Sequence, residues 1–328
     1  MNLKIGNLSI DHAVVLAPME DVTDLPFRQI CREHGADIVY TEFVPSEAII
    51  RHIAKSTRKM DISEEERPVA IQIFGNQVEV MVEAARHAEA LKPDFLDINY
   101  GCPAKKVAGR GAGSGLLCVP DLMTDITRAI VSALKIPVTA KTRIGWDASS
   151  ISILDTVARM EQCGISALTI HGRTRAQMFD GRADWEWIGK AKKAAGIPII
   201  GNGDISNPEY ALEVLNRSGV DGLMIGRGAY GNPWIFQRTK TFIQTGVMPP
   251  EPELEEKVLV MLRHLKYAID YKGNHGLVTF RKHYHNYLKG FRDAARLRGK
   301  LVMMTSFDAI SSEVHSFIGN HNLIGSDR

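Results

Sequence analysis

Short apolar runs, rich in β-branched residues, alternate with longer stretches of helical periodicity from Ala13 to Ile225. The runs fall at residues 13–17, 37–43, 69–74, 95–99, 138–142, 167–171, 197–201 and 222–225. The stretches between them predict helices over 25–33, 46–54, 78–91, 121–134, 152–163, 185–195 and 208–218. Strands that are apolar on both faces are what parallel pairing between layers of helix produces. About eight strand–helix units predict a closed (β/α)8 TIM barrel in the α/β class. A doubly wound sheet, the competing architecture, carries a glycine-rich turn after its first strand. Pro18-Met19-Glu20 stands there instead.

The alternation stops at residues 245–253, where proline, glycine and acidic residues cluster. Amphipathic helices are expected beyond it at 254–271, 277–291 and 305–318. The chain therefore reads as a barrel domain over residues 1–245 and a small all-α domain over 246–328. Nothing in it repeats with a solenoid period.

Charge is nearly balanced at +2, so overall charge does not announce a nucleic-acid partner, although a local basic patch still can. The four cysteines, Cys31, Cys102, Cys118 and Cys163, form no CxxC pair and no metal-like spacing with histidine. That pattern points to reduced thiols in a cytoplasmic protein, without structural disulfides or a bound metal; a monomer is expected. The N-terminus lacks the charged and apolar regions of a signal peptide. No apolar run approaches the roughly 20 residues of a membrane span, so no membrane partner is expected.

The most informative stretch is residues 95–117. It opens as a buried strand and breaks at Asn99-Tyr-Gly-Cys102-Pro103, with two lysines and a glycine-rich run behind. Gly101 widens the backbone options there, and Pro103 ends ladder pairing. A small buried cysteine in a tight turn is the plain reading of such a residue. A thiol at a strand's C-terminal end, however, sits where a barrel enzyme keeps its chemistry. The other predicted strand ends carry Pro18-Met19, Glu42, Gln72, Lys141 with Arg143, His171 with Arg173, Asn202-Gly203-Asp204, and Gly226-Arg227-Gly228. In a barrel these converge on one rim, polar and net positive, suited to an anionic ligand. The last two are glycine-rich turns after strands seven and eight, the usual place for a phosphate cradle. Gly226, Gly228 and Gly231 also match G-x-G-x-x-G. The match follows the last strand and lacks the acidic residue a dinucleotide site needs, so a Rossmann site is rejected.

Taken together, Ala17-Pro18-Met19, Asn99-Tyr-Gly-Cys102-Pro103-Ala-Lys-Lys-Val, His171-Gly-Arg173-Thr-Arg175, Asn202-Gly-Asp204 and Ile225-Gly-Arg227 resemble the tRNA-dihydrouridine synthase family, most closely its bacterial B-like type. The resemblance runs from about Leu16 to Trp234. It implies an FMN-binding barrel followed by a helical RNA-binding domain. It also implies reduction of the C5=C6 bond of particular uridines in tRNA, with NADPH (or NADH) as reductant. Carried over by position, Pro18, Met19, Glu20, Gln72, Lys141 and His171 would contact the flavin ring. Asn202, Gly203, Asp204, Gly226 and Arg227 would hold its phosphate, and Cys102 would donate a proton. Glu20-Asp21 departs from the small residues that many members carry there.

That chemistry is consistent with the residue types. Hydride arrives from the flavin at C6, and the charge developing on the base is quenched by an acid near C5. A thiol with an ordinary pKa of about 8.5 is protonated at neutral pH and needs no nucleophilic role. Asn99 and His171 are suited to the uracil carbonyls. For RNA, residues 281–300 hold Arg281, Lys282, Lys289 and four further cations against the single acid Asp293. Read as one helix, they place Lys282, Lys289 and Arg296 near one face, with the interleaved aromatics in the core. Lys105, Arg143, Arg173 and Arg175 extend the candidate RNA contacts. The alternatives are a flavin-dependent reductase of free pyrimidines or related small molecules, and a non-catalytic RNA-binding barrel.

Overall fold

The structure is a computed structural model that describes residues 1–325, with side chains through residue 319. Its contacts divide the chain into two units. One comprises Met1–Gly228 and Ile235–Met248, the other Ala229–Trp234 and the chain from Pro249 onward.

In the first unit, β1 (Asn2–Ile5) and β2 (Leu8–Asp11) form an antiparallel hairpin. They are followed by β3 (Ala13–Leu16), β4 (Val39–Tyr40), β5 (Val44–Pro45), β6 (Val69–Phe74), β7 (Phe95–Tyr100), β8 (Val138–Arg143), β9 (Ala167–His171), β10 (Ile199–Asn202) and β11 (Gly222–Ile225). In space they run β3-β11-β10-β9-β8-β7-β6-β4, every pair parallel. Leu16 N–H donates to the Ile38 carbonyl and Asp37 N–H to the Val14 carbonyl, both at 2.9 Å. These bonds bring the first strand to the chain entering β4 and nearly close the ring into the expected barrel. Helices form where the local chemistry starts and stops them. Asn207 accepts the Tyr210 N–H at 2.8 Å, Pro208 occupies the first turn, and Gly219 ends the helix Pro208–Ser218 at φ 65°.

Two features differ from the sequence reading. The second strand, expected over 37–43, is cut to β4, and β5 begins just past its expected end. The Thr41 hydroxyl accepts the Gln72 N–H at 3.0 Å and so stands in for a ladder carbonyl. The N-terminal hairpin had no place in the strand–helix count. Leu3 and Ile5 pack with Ala13, Ala70, Phe95, Ala167 and Ile200 at the strands' N-terminal ends, and Leu8 and Ile10 lie against them. The hairpin therefore fills the end of the barrel opposite the candidate chemistry.

Register decides which strand-end residues become neighbours. Asn99 is level with Lys141, Arg143 with His171, and His171 with Asn202.

The second unit contains helices Leu254–Lys272, Asn274–Tyr287, Ala294–Leu301 and Phe307–Gly325. Its core is aromatic. His264 lies 4.6 Å from His283 and 4.8 Å from Phe280 between ring centroids, and its Nδ1 meets the Tyr287 hydroxyl at 3.1 Å. Tyr284 and Tyr287 are fully buried. The single helix expected over 277–291, and the basic face drawn on it, needs correction. The helix ends at Tyr287, Gly290 turns at φ 92°, and Asp293 at φ 58° precedes a new helix. Lys282, Lys289 and Arg296 thus sit on a helix, a turn and a second helix. The left-handed geometry that glycine tolerates makes the break. No helix among the described residues is long and apolar enough to cross a membrane, and the four cysteines are free thiols.

Candidate active site

At the C-terminal end of β7 the strand turns because Asn99 supplies acceptors for the backbone that leaves the ladder. Its Oδ1 takes the N–H groups of Gly101 and Cys102, each at 2.9 Å. Its Nδ2 donates to Gln72 Oε1 at 2.8 Å, and Gln72 Nε2 donates to Asp97 Oδ2 at 2.6 Å. The far side of the turn is held by Ser114, whose hydroxyl and N–H both donate to the Cys102 carbonyl. Gly113, at φ 55°, allows this approach: a Cβ there would stand 3.2 Å from the Cβ of Cys102. Asp97, wholly buried beneath the turn, is raised by burial to a pKa of about 6 despite the Gln72 and Thr139 bonds.

Cys102 is 8% exposed and lines a cavity of about 730 Å³ at this end of the barrel. Burial pushes its thiol up, against the Ala104 N–H and the charges of Arg143 and Lys106, which favour thiolate. The sulfur is therefore protonated at neutral pH, the state of an acid and not of a nucleophile.

The cavity floor is cationic. Lys141 donates to Asn202 Oδ1 at 3.2 Å, and Asn202 in turn donates to the Met224 carbonyl at 2.8 Å. Burial, then repulsion from Arg143, lowers Lys141 to about 8, and burial followed by repulsion from Arg173 lowers Arg143 to about 10. His171 is held well below its ordinary value by burial, then by Lys141, Arg143, Arg173 and Arg227. Its Nε2 lies 3.3 Å from Arg173 Nη1. A guanidinium only donates, so Nε2 accepts and the neutral ring carries its proton on Nδ1. His171 is thus a fixed donor.

Arg143 and Arg173, expected to touch RNA, are each only 2% exposed. Arg143 donates to the carbonyls of Gly101 (2.8 Å), Thr174 (2.9 Å) and Met178 (2.8 Å). Arg173 donates to the carbonyls of Asp180 (3.1 Å) and Gly181 (2.6 Å) and to Asp204 Oδ2 (2.8 Å). Both guanidinium groups are committed to loop backbone. Arg143 lines the cavity, whereas Arg173 lies behind His171.

The two glycine turns face the same cavity. Gly203, at φ 143°, has no room for a side chain, since a Cβ would fall 2.4 Å from that of Ala183. A Cβ on Gly228 would fall 2.3 Å from the Ile205 carbonyl oxygen. Asp204 is lowered by Arg173, Ala183 N–H and Arg227 against the burial that would raise it, and Arg227 reaches it at 3.2 Å with its own side chain 61% exposed. On the opposite lip, Pro18, Met19 and Glu20 line the cavity. Lys59 pairs with Glu20 and lies 3.4 Å from Glu42, which accepts the Asp21 N–H at 2.7 Å. Glu20 of the acidic pair is thereby paired from within the chain.

The remaining candidates lie elsewhere. Gln72 is fully buried below the floor, bonded to Asp97 and Asn99. Lys105 is exposed on the short helix Lys105–Ala108. Arg175 stacks on Trp146 at 4.5 Å. Arg281, Lys282 and Lys289 are exposed in the second unit. The sequence reading missed Ser114 and Gly113, which hold the cysteine turn, and Phe43, Met178 and Phe179, which line the cavity. Side chains on irregular loops carry no periodicity to betray them.

Residues 15–316 match the family model described as dihydrouridine synthase (Dus). The chain is 41% identical over 319 residues to tRNA-dihydrouridine synthase B of Vibrio cholerae, covering 97% of this chain and 99% of that one. It is 40% identical over 305 residues to the probable tRNA-dihydrouridine synthase 1 of Synechocystis sp., covering 93% and 86%. Among solved structures, histamine dehydrogenase from Rhizobium sp. 4-9 aligns with a TM-score of 0.55 at 9% identity, over 81% of this chain and 50% of that chain, a likeness of fold alone.

Proposed function

Because the chain belongs to the dihydrouridine synthase family, we propose that it reduces the C5=C6 bond of specific uridines in tRNA to 5,6-dihydrouridine, with FMN as cofactor and NADPH (or NADH) as reductant. The observation that carries the reading is Cys102, a thiol kept protonated by burial at the edge of a cationic cavity where barrel strands end. The donor set fits a flavin mononucleotide. Lys141 and His171 offer donors to an anionic ring edge, and the bare turns at Gly203 and Gly226–Gly228, with Arg227, suit a phosphate. Pro18, Met19 and Glu20 supply the facing wall, and Gln72 supports it from below.

Bound there, reduced flavin supplies the hydride taken up at C6 of the uracil. The chain's own residues do the rest. Cys102 Sγ gives its proton to C5, and the thiolate left behind is stabilised by Arg143 and Lys106 until solvent reprotonates it. Asn99 keeps the turn shut so that the sulfur stays in place. His171, neutral and donating through Nδ1, is suited to an oxygen that gains charge during reduction. A base inside a tRNA reaches such a cavity only by leaving its stack. The helical domain, residues 246–328, is assigned to tRNA binding on its exposed Arg281, Lys282 and Lys289, and the enzyme to the cytoplasm on its free thiols.

The test is mass spectrometry of tRNA lacking dihydrouridine after incubation with the protein, FMN and NADPH, with Cys102→Ala in parallel. Dihydrouridine from the wild type and almost none from the variant is expected. No product from flavin-loaded wild type would overturn the reading in favour of free pyrimidines.

A further inference from the structure

Between β9 and the helix Trp185–Ala194 the chain makes an irregular excursion that brings Met178 and Phe179 to the cavity. Phe179 is 52% exposed and Met178 40% exposed, the latter in the left-handed region at φ 51°. A lone exposed phenylalanine on a loose loop would need no explanation. This loop is not loose. The carbonyl just before Phe179, that of Met178, is held by Arg143 at 2.8 Å, and the carbonyl just after it, that of Asp180, by Arg173 at 3.1 Å. Both guanidinium groups are buried. The same pair grips Thr174 and Gly181, and Gln177 Oε1 accepts the Thr174 N–H at 2.8 Å. The guanidinium carbons of Arg143 and Arg227 lie 5.8 and 5.0 Å from the centre of the Phe179 ring. A ring that water would rather not meet is thus fixed, half open, at the lip of the site.

We propose that Phe179 is a stacking platform for a nucleobase of the substrate RNA at the mouth of the cavity. The inference rests on RNA being the substrate. The exposed half of the ring offers a π-surface on which any base can stack, and an aromatic ring fixed beforehand loses little freedom when a base settles on it. Arg227 beside the ring supplies positive charge where an extruded nucleotide brings its phosphate. A nicotinamide ring is the competing occupant. Phe179 is favoured for RNA because it stands at the lip, where a base swung out of a folded tRNA arrives first.

The experiment titrates tRNA lacking dihydrouridine against flavin-loaded wild type, Phe179→Ala, Phe179→Leu and Phe179→Tyr at one fixed salt concentration. The same preparations are assayed for the NADPH dependence of flavin reduction without tRNA, and for dihydrouridine by mass spectrometry. Phe179→Ala is expected to weaken tRNA binding about 5- to 150-fold, the range for one lost base–aromatic stack. Tyrosine restores most of the affinity, and leucine, with similar apolar bulk and no π-face, does not. Equal binding by wild type and Phe179→Ala, or full rescue by leucine, overturns the proposal. So does a loss that falls on NADPH and not on tRNA, which would assign the ring to nicotinamide. If wild type makes dihydrouridine while any of these holds, only this inference fails. If wild type makes none, the proposed function fails and this inference with it.

Discussion

Asn99→Ala is expected to change the acidity and reach of the Cys102 thiol before it changes the fold. The Asn99 carboxamide accepts two N–H groups at 2.9 Å and donates to Gln72 at 2.8 Å. Its loss orphans three polar groups in a buried place. At about 1–3 kcal/mol for each, holding the turn in its native form would cost about 3–9 kcal/mol. That is comparable with the entire stability of a typical domain, about 5–15 kcal/mol. A less costly response is available, because residues 101–104 belong to no helix or strand and adjoin the cavity. The turn opens, the N–H groups of Gly101 and Cys102 return to water, and the sulfur hydrates. Since burial is the largest cause of the raised thiol, its pKa then falls toward the ordinary value. Asn99→Asp should act in the opposite direction: it keeps an oxygen that accepts both N–H groups, holds the turn and brings a carboxylate near the sulfur. Site-resolved alkylation of Cys102, followed from about pH 7 to 10 with exposed Cys118 as internal reference, reads both effects. Superimposable Cys102 profiles for wild type and Asn99→Ala would refute the claim that this carboxamide governs the thiol's surroundings.

Arg28→Met should lower stability by about 3–5 kcal/mol, because it strands the fully buried Glu66 carboxylate now paired at 2.6 Å; an unchanged denaturation midpoint would contradict this. His283 is held well below the ordinary histidine pKa by burial, then by His264 and nearby lysines. The folded state thus resists a proton that the unfolded chain accepts at about 6.5, so stability is complete above that pH and falls as pH drops through it, by up to about 1.4 kcal/mol per pH unit. His283→Phe should flatten the fall, and calorimetry at stepped pH showing equal slopes would argue against it. Finally, Arg281→Gln and Lys282→Gln should each reduce the slope of log affinity for tRNA against log salt by about 0.7–0.9, one phosphate contact apiece, whereas Arg173→Gln should leave that slope alone whatever it does to stability. A slope that responds to Arg173 and not to the other two would reverse the assignment.

Much of the barrel was legible because its strands are buried on both faces, and a run such as residues 69–74 has few other uses. The site was legible where a residue type stood at a strand end, as with Cys102, Lys141 and His171. The readings that failed did so for local reasons. The second strand stops short where the Thr41 hydroxyl takes the Gln72 N–H in place of a ladder carbonyl. Gly290, one residue inside an amphipathic pattern, ended a helix that the pattern alone would continue. The hairpin Asn2–Asp11 carries a period-two alternation, Leu3, Ile5, Leu8 and Ile10, around Gly6, and that signal was present but lay outside the strand–helix count. Phe179 had no signal, since its position depends on carbonyls held from the neighbouring strand ends.

That dependence explains why two arginines in plausible RNA-binding motifs lie buried. A cavity at the end of a barrel is bounded by loops whose carbonyls have no ladder to join, and those carbonyls need donors. Guanidinium groups serve several at once: Arg143 takes three and Arg173 two, drawn from the turns after β7 and β9. Placing them beneath the cavity has an electrostatic consequence independent of any contact with a ligand. After burial, both charges help to hold His171 neutral, and Arg143 also lowers Lys141, to about 8, and favours the thiolate form of Cys102. The same cations therefore fix the loop geometry and, with burial, bias the protonation states of the residues that the loops and strands present. A substitution at Arg143 would alter both together, so its effect on rate could not be ascribed to lost substrate contact without first measuring the acidity of Cys102.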